Sequence, residues 1–476
     1  MIGFFKGRKQ EEPIDIRNRF NWIDELENQK LDLSGQDFEA RLTEIKSVHP
    51  FLKSEDGQRL IQSLYDDMIG IGFPEESTKI ELDLLSEIFS PETLDLMFFN
   101  PSNGLGNSFH EGQFQDLVEV DQSYSYLVVP KGLILVVGSS NTILPVITSI
   151  VLSYICGNVT VCQLSKLNGG VISKFIDGMP SRCSAYTHYT GLDHADPVDV
   201  GILKQALIEV PWNVINVWGG EDANNFYFRN VAENPARPRV LNMEPLTGIV
   251  IIQKSFLQNN QNKVSADLAR SICEMGQQLC SSPTEGYIVD DCDRGDEADA
   301  FFTDLIDDLE RRFVDFENFE TSYFKLDRML TFAQDHQSRV HLSKKYGNKI
   351  SVIQSKDQSV FEYLDDTQSV SIHERRNFLE LIEVGSFASL LGLIRRVGQK
   401  HTHREIKKVQ TILVFGDQGF NTEVLRLAKK VGAYRVVDSR YIFERHPLEA
   451  LDGSHLINEF TYHLSVIGSV PYQQPG

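Results

Sequence analysis

Several things are scarce in this sequence, and each scarcity narrows the reading. The 476 residues include six cysteines, Cys156, Cys162, Cys183, Cys273, Cys280 and Cys292, none at the short paired spacings of a zinc site or a secreted disulfide framework. Reduced thiols in a cytoplasmic protein, with no metal centre, are therefore expected. Positive charge is in deficit: 46 Lys and Arg face 67 Asp and Glu, a formal net charge of -21. An acidic chain repels the phosphate backbone unless a local basic patch intervenes, which argues against general nucleic-acid binding. Uninterrupted apolar sequence is also short. The longest tract, Gly132 to Cys156, is broken at Ser139-Ser140-Asn141-Thr142 and Pro145, leaving halves below the about 20 residues a hydrocarbon core requires. No transmembrane segment is expected. The opening MIGFF is short and precedes its basic residues, unlike a secretory signal. No G-x-G-x-x-G stands in the right context and no G-x-x-x-x-G-K-[ST] occurs, so neither the usual dinucleotide fingerprint nor a P-loop is supported.

What is present is ordinary for a folded chain, with 41% hydrophobic and 24% charged residues. The length suggests about two to four domains. Residues 1–110 read as a helical region: Phe38, Leu42 and Ile45, then Leu60, Ile61, Leu64 and Met68, recur at helical spacing, with turn signals at Phe73-Pro74 and Asn100-Pro101. No chemistry stands out there. From Tyr124 the texture changes. A buried strand at Leu133–Val137, a helix from about Leu144 to Tyr154 and a strand at Val159–Cys162 make a βαβ unit, and so a parallel sheet. Further strands are expected at Val214–Val217, Gly248–Ile252 and Gly286–Val289, with a helix from about Ala266 to Met275 before the last. Two late strands, Gln410–Phe415 and Tyr434–Val437, flank a helix from Thr422 to Val431 that Gly432 ends. The alternation is α/β throughout.

The segment DDCDRGDEADAFFTDLIDDLE lacks the glycine and glutamate spacing of a calcium loop. It reads as a solvated loop and an acidic helix start, with Phe302, Leu305, Ile306 and Leu309 as the buried stripe.

Three places could carry chemistry. Cys280, in GQQLCSSP, sits between a helix and a buried strand. It serves equally as core filler or as a nucleophile facing a cleft, since a thiolate attacks carbonyls and thioesters even when little of it is ionised. The Ser139–Thr142 turn is either a plain strand-to-helix connection with its own N-cap or a ligand site at the carboxyl end of a parallel strand, with the Asn141 amide as donor. In WGGEDA, Gly219 and Gly220 permit close approach and the following helix offers free N–H groups to phosphate, while Glu221 and Asp222 oppose an anion.

Taken in order, PKGLILVVGSSNTILPVITSIVLSYICGN, VWGGEDA, GQQLCSSP and VQTILVFG resemble the acyl-CoA reductase family of the aldehyde dehydrogenase superfamily. In pattern the chain looks like the long-chain acyl-protein thioester reductases of bacterial light-producing systems. The resemblance covers about residues 120 to 460. It implies an aldehyde dehydrogenase-like α/β fold: a helical region over 1–110, a Rossmann-type cofactor domain over 111–243, a catalytic domain over 244–440, and a segment over 441–476 that returns to the cofactor domain or forms an oligomer interface. It also implies a reaction. Cys280 would take the acyl group from a fatty acyl-CoA or acyl-protein thioester, and a nicotinamide hydride would reduce it to the aldehyde. Asn141 would stabilise the oxyanion with the Cys280 N–H. Ser139, Ser140, Gln163, Ser165, Gly219 and Gly220 would lie along NADPH, with NADH as the alternative. Self-association and an acyl-activating partner protein are implied as well.

The sequence departs from the superfamily's pattern at three points. Where hydrolytic members keep a glutamate that activates water, LNMEPLTG puts Asn242 nearest the slot and Glu244 two residues on. Asn242 in the slot would leave the acyl-enzyme without a base for water, which favours a reductase, whereas Glu244 in it would restore that base and favour an oxidative dehydrogenase. The Lys-Pro-Ser that meets the adenosine ribose in many relatives is Gln163-Leu164-Ser165 here, so a cation for a 2′-phosphate is missing. The usual His-Asp-Gly is Leu451-Asp452-Gly453, with His455 nearby reading as a surface histidine. Two other functions stay open: an NAD(P)-dependent aldehyde dehydrogenase working in the oxidative direction, and a catalytically silent acyl-binding subunit.

Overall fold

The computed structural model describes residues 3–5, 8–9, 19–99, 118–119, 124–243, 246–277, 279–290, 298–313, 327, 330–331, 333–335, 338–357, 359, 377–397 and 408–467. The chain divides into two units, one made of 1–71, 78–244 and 446–476, the other of 72–77 and 245–445.

In the first unit the strands are β1 (Gly3–Phe5), β2 (Arg8–Lys9), β3 (Val118–Glu119), β4 (Tyr124–Pro130), β5 (Leu133–Val137), β6 (Val159–Gln163), β7 (Thr187–Thr190), β8 (Val214–Trp218) and β9 (Arg239–Met243). Among the described residues its main sheet runs β2-β1-β7-β6-β5-β8-β9. The stretch from β7 to β9 is parallel, and β1 joins β7 antiparallel. Every residue of β5, β6 and β8 is buried, which is why these strands read as unbroken apolar runs. Helix Leu144–Ile155 is buried on nearly all sides, and each such Val, Leu or Ile contributes roughly 1.5–3 kcal/mol of burial.

The N-terminal helices join this unit through a buried cation. Arg41, on helix Phe38–Lys46, donates Nε–H to the Ile155 carbonyl at 3.0 Å and Nη1–H to the Leu33 carbonyl at 3.1 Å. A guanidinium at the end of helix Leu144–Ile155 meets carbonyls that have no helical partner, where the macrodipole favours positive charge.

In the second unit β10 (Leu246–Gln253), β11 (Pro283–Val289), β12 (Arg339–Ser343), β13 (Gly347–Lys356), β14 (Phe378–Val384), β15 (Lys408–Phe415) and β16 (Arg435–Val437) form a sheet in the order β12-β13-β14-β11-β10-β15-β16. Only β12 pairs antiparallel among these described strands. The helix expected from about Ala266 begins earlier, running Lys254–Cys273, with a break in helical φ/ψ at Asn260. Its polar Asn-Asn-Gln-Asn stretch carries a local turn preference, and the kink at Asn260 is where that preference survives inside the helix. Helix Ala298–Arg311 buries Phe301, Phe302, Leu305 and Leu309. Residues 291–297 of the acidic segment lie outside the described residues. Gly432 ends helix Gln418–Val431 in the left-handed conformation, φ 74°.

A further strand, β17 (Thr461–Ile467), belongs to the first unit and pairs antiparallel with β4, which also pairs with β3. Asn158 fixes this return by donating to the Phe460 carbonyl at 3.1 Å while accepting the Gly132 N–H at 2.6 Å. Among the described residues no helix is long and apolar enough to cross a membrane.

Candidate active site

In the first unit the Ser139–Thr142 turn and Gly219–Gly220 follow the carboxyl ends of β5 and β8. These strands lie side by side, Val137 opposite Val217. From β5 the chain builds outward through β6 and β7 on one side, then returns to build β8 and β9 on the other. Open parallel sheets bind ligands at such a switch point.

The Ser139–Thr142 turn follows β5, with Ser139 and Asn141 partly buried and Ser140 exposed. It does not cap its own helix in the expected way. Ile143 is the N-cap and brings no side-chain cap, although Thr142 Oγ1 accepts the Leu144 N–H at 3.4 Å. The helix start is answered from far off in sequence: Glu81 Oε2 accepts the Ile143 N–H at 3.2 Å. Asn168 holds the other side, donating Nδ2–H to the carbonyls of Ser139 at 3.0 Å and Thr142 at 3.3 Å. Glu81 is 0% exposed. Burial pushes its carboxyl up to about 7, while hydrogen bonds from Thr142 and Ile143 pull the other way.

The remaining residues expected along the cofactor divide by environment. Gln163 is 3% exposed and donates to the Leu192 carbonyl at 2.7 Å, so its amide is engaged inside the fold. Ser165 is partly buried, and its Oγ accepts the Leu167 N–H at 3.1 Å. Gly220 is the N-cap of helix Glu221–Val231, which has no side-chain cap. A Cβ on Gly220 would meet nothing within 4 Å, whereas one on Gly219 would come within 2.8 Å of the Ala223 Cβ. Asn224 steadies both glycines by donating to their carbonyls at 2.8 and 3.2 Å. An uncapped helix start beside an open glycine, at the switch point of a parallel sheet, offers backbone N–H groups of the kind that meet a pyrophosphate, while Glu221 and Asp222 in its first turn work against an anion.

Cys280 stands in the second unit, in the loop that enters β11. Three consecutive residues before it, Met275, Gly276 and Gln277, have φ near +60° (59°, 59° and 56°). For Met275 and Gln277 the left-handed region costs on the order of 1 kcal/mol each. The Gln277 side chain offsets this: it donates to the carbonyls of Pro283 and Phe378 and accepts the Phe378 N–H at 3.0 Å. The Ser282 N–H closes the turn on the Leu279 carbonyl at 2.9 Å. Cys280 is partly exposed, while Cys156, Cys162, Cys183 and Cys273 are buried. Burial pushes Cys156, Cys183 and Cys273 up to about 12, and Cys162 upward as well. These four remain thiols at neutral pH and are poor nucleophiles. Cys292 lies outside the described residues.

Strand irregularity shapes the same corner. Along β10 the pairing passes from Thr247↔Val409 to Gly248↔Thr411, so Gln410 is an extra residue in β15, and from Gly248↔Pro283 to Ile249↔Glu285, so Thr284 is one in β11. Gln410 Nε2 lies 2.8 Å from Cys280 Sγ. Gly248 permits the arrangement, since a Cβ there would lie 2.3 Å from the Ser281 carbonyl oxygen. Gly248→Ala must displace the cysteine loop. It is expected to lower stability by about 1–3 kcal/mol in denaturant titration and to slow Cys280 alkylation. Unchanged alkylation and stability would show that the loop does not depend on that contact.

Of the residues at the departures from pattern, Asn242 is exposed on β9 and Glu244 lies outside the described residues. Leu451 and Ser454 bridge a tight turn in which Asp452 and Gly453 have φ of 48° and 83°. His455 is the N-cap of helix Leu456–Phe460. Sequence reading missed Glu81, Asn168, Gln277 and Gln410. Glu81 did carry a signal: it shares a helical stripe with Thr78, Leu82 and Leu85, all buried, and a carboxylate on such a stripe needs a reason.

Comparison with known proteins gives a consistent picture. The sequence profile of a family described as acyl-CoA reductase (LuxC) matches residues 103–463. No curated protein sequence matches the chain. Among solved structures, a succinic semialdehyde dehydrogenase from Streptococcus pyogenes, in complex with NADP+, is 13% identical with a TM-score of 0.69, covering 99% of this chain and 100% of that one. An NAD-dependent benzaldehyde dehydrogenase from Corynebacterium glutamicum is 11% identical, TM-score 0.67, covering 98% of each chain. A glyceraldehyde-3-phosphate dehydrogenase from Methanocaldococcus jannaschii, complexed with NADP, is 12% identical, TM-score 0.66, again covering 98% of each. At these identities the likeness establishes the fold, which is aldehyde dehydrogenase-like.

Proposed function

The chain belongs to the acyl-CoA reductase (LuxC) family, and from that premise we propose that it reduces a long-chain fatty acyl thioester, carried on CoA or on a protein, to the fatty aldehyde through an acyl-enzyme on Cys280. The single observation that carries this is the environment of Cys280: a partly exposed thiol in a constrained loop, against four buried thiols held protonated.

In this reading the Cys280 thiolate attacks the thioester carbonyl. A carbon–sulfur bond forms to Cys280, and the carrier thiol leaves with its electron pair and takes up a proton. The acyl carbon then accepts a hydride, becomes an aldehyde and releases the Cys280 sulfur as thiolate. A reduced nicotinamide, when bound, supplies that hydride and is itself oxidised. The Ser139–Asn141 turn, Ser165 and the Gly219–Gly220 helix start are the residues that would hold it, and Gln163 would support them from inside. Asn141 would stabilise the oxyanion, a donor worth about a hundredfold to a thousandfold in rate. With Asn242 rather than Glu244 in the superfamily's general-base position, reduction would be favoured over hydrolysis, because an amide does not serve as a base toward water.

NADPH is the proposed reductant, with NADH the alternative. Self-association, an acyl-activating partner and a cytoplasmic setting belong to the same proposal. The test mixes the protein with an acyl-CoA series and either cofactor and follows nicotinamide absorbance. Thioester-dependent oxidation with release of aldehyde is expected. Oxidation of added aldehyde by NAD(P)+ with no reaction of acyl-CoA would replace this reading by an oxidative dehydrogenase.

A further inference from the structure

Gln410 is 0% exposed in a strand whose second half, Ile412-Leu413-Val414-Phe415, is apolar. An amide buried there costs free energy unless its hydrogen-bonding groups are used. It is also the residue that breaks the β10–β15 register. Extra residues of this kind re-aim a side chain and recur beside active sites. The re-aimed amide ends 2.8 Å from Cys280 Sγ through Nε2, and Thr411 Oγ1 donates to its Oε1 at 3.1 Å. In this arrangement the Thr411 hydroxyl engages the amide oxygen and the N–H groups face Cys280.

We propose that Gln410 is a catalytic residue whose Nε2–H hydrogen bond stabilises the Cys280 thiolate, both before attack on the thioester and when the sulfur is released from the reduced acyl group. A hydrogen bond donated to the charged form of a thiol favours that form. The sulfur bears its charge at just those two moments: it gives its electron pair to the acyl carbon on attack and recovers it when the carbon–sulfur bond breaks. An apolar residue of similar size would pack as well and would provide no such donor.

The inference rests on the acyl-enzyme reading only for its catalytic role; the sulfur contact is testable without thioester or cofactor. The experiment measures the rate of iodoacetamide alkylation of Cys280 against pH in the full-length protein, by mass spectrometry, for wild type, Gln410→Met, Gln410→Glu and Thr411→Val. Gln410→Met is expected to move the midpoint upward and slow alkylation at pH 7 about threefold to tenfold. Gln410→Glu moves it further, because a carboxylate repels the thiolate. Thr411→Val, which only frees the amide to turn, gives a smaller shift in the same direction and carries the test if either Gln410 variant fails to fold. Unmoved midpoints in folded variants would reduce Gln410 to a packing residue and overturn the proposal. If the midpoints move while Cys280 never acquires an acyl group, the thioester reading fails and the sulfur contact stands. Normal acylation with unmoved midpoints has the opposite meaning: the thioester reading stands and the role of Gln410 fails.

Discussion

Cys280→Ala is expected to lower thioester-dependent oxidation of NADPH by at least about a thousandfold while leaving the protein folded. Removal of a covalent nucleophile takes away the whole acylation route, and the residual rate rests on binding and oxyanion stabilisation alone. The other described thiols cannot substitute, since burial keeps Cys156, Cys162, Cys183 and Cys273 protonated and out of reach. The structural cost is small by comparison. Cys280 is partly exposed, and the main loss is the sulfur that meets the Gln410 amide, about 1 kcal/mol. Stopped-flow absorbance with an acyl-CoA measures the rate, and thermal unfolding checks the fold. A variant that keeps a tenth of the wild-type rate would place the chemistry elsewhere.

Glu81→Gln is expected to stabilise the protein at neutral and alkaline pH. The Glu81 carboxyl is pushed from 4.5 to about 7 by burial. At about 1.36 kcal/mol per unit, holding it ionised in the fold costs about 3 kcal/mol. The sign follows from which state holds the proton. Between pH 4.5 and 7 the folded carboxyl keeps its proton while the unfolded one has lost it, so stability falls as pH rises through this window. Above it the full cost is present; below it none is. Glutamine keeps an oxygen to accept the Ile143 N–H and removes the charge. Denaturant titrations of wild type and variant should converge below pH 5 and separate toward about 3 kcal/mol at pH 8. An equal difference at both pH values would mean that ionisation of Glu81 is not the source.

Much of the architecture is legible in the sequence because the signals are local. The unbroken apolar run at Leu133–Val137 reads as a buried parallel strand and is one, and the glycine after Val431 ends its helix with a positive φ. The helix at Lys254–Cys273 reads too short from sequence, because Asn259, Asn260 and Asn262 look like a turn when tertiary packing is not known. The site is legible in part. Cys280 and the Ser139–Thr142 turn can be singled out by residue type and neighbours. The residues that organise them cannot, because Glu81 reaches Ile143 across 62 positions and Gln410 reaches Cys280 across 130. Position in the sheet misleads as well. The carboxyl-edge rule points to the Asn141 turn, yet Cys280 lies at the amino-terminal edge of β11, where the pairing with β10 starts at Pro283. A register shift such as the one at Gln410 leaves no trace in periodicity, since it is a property of how two strands align.

The most direct test of the account is to incubate the protein with a long-chain acyl-CoA in the absence of nicotinamide and to map the adduct by peptide mass spectrometry. The predicted result is a single acyl group on the peptide containing Cys280, which disappears as free aldehyde when NADPH is added. No acyl adduct on Cys280, or an adduct that Cys280→Ala fails to abolish, would contradict it.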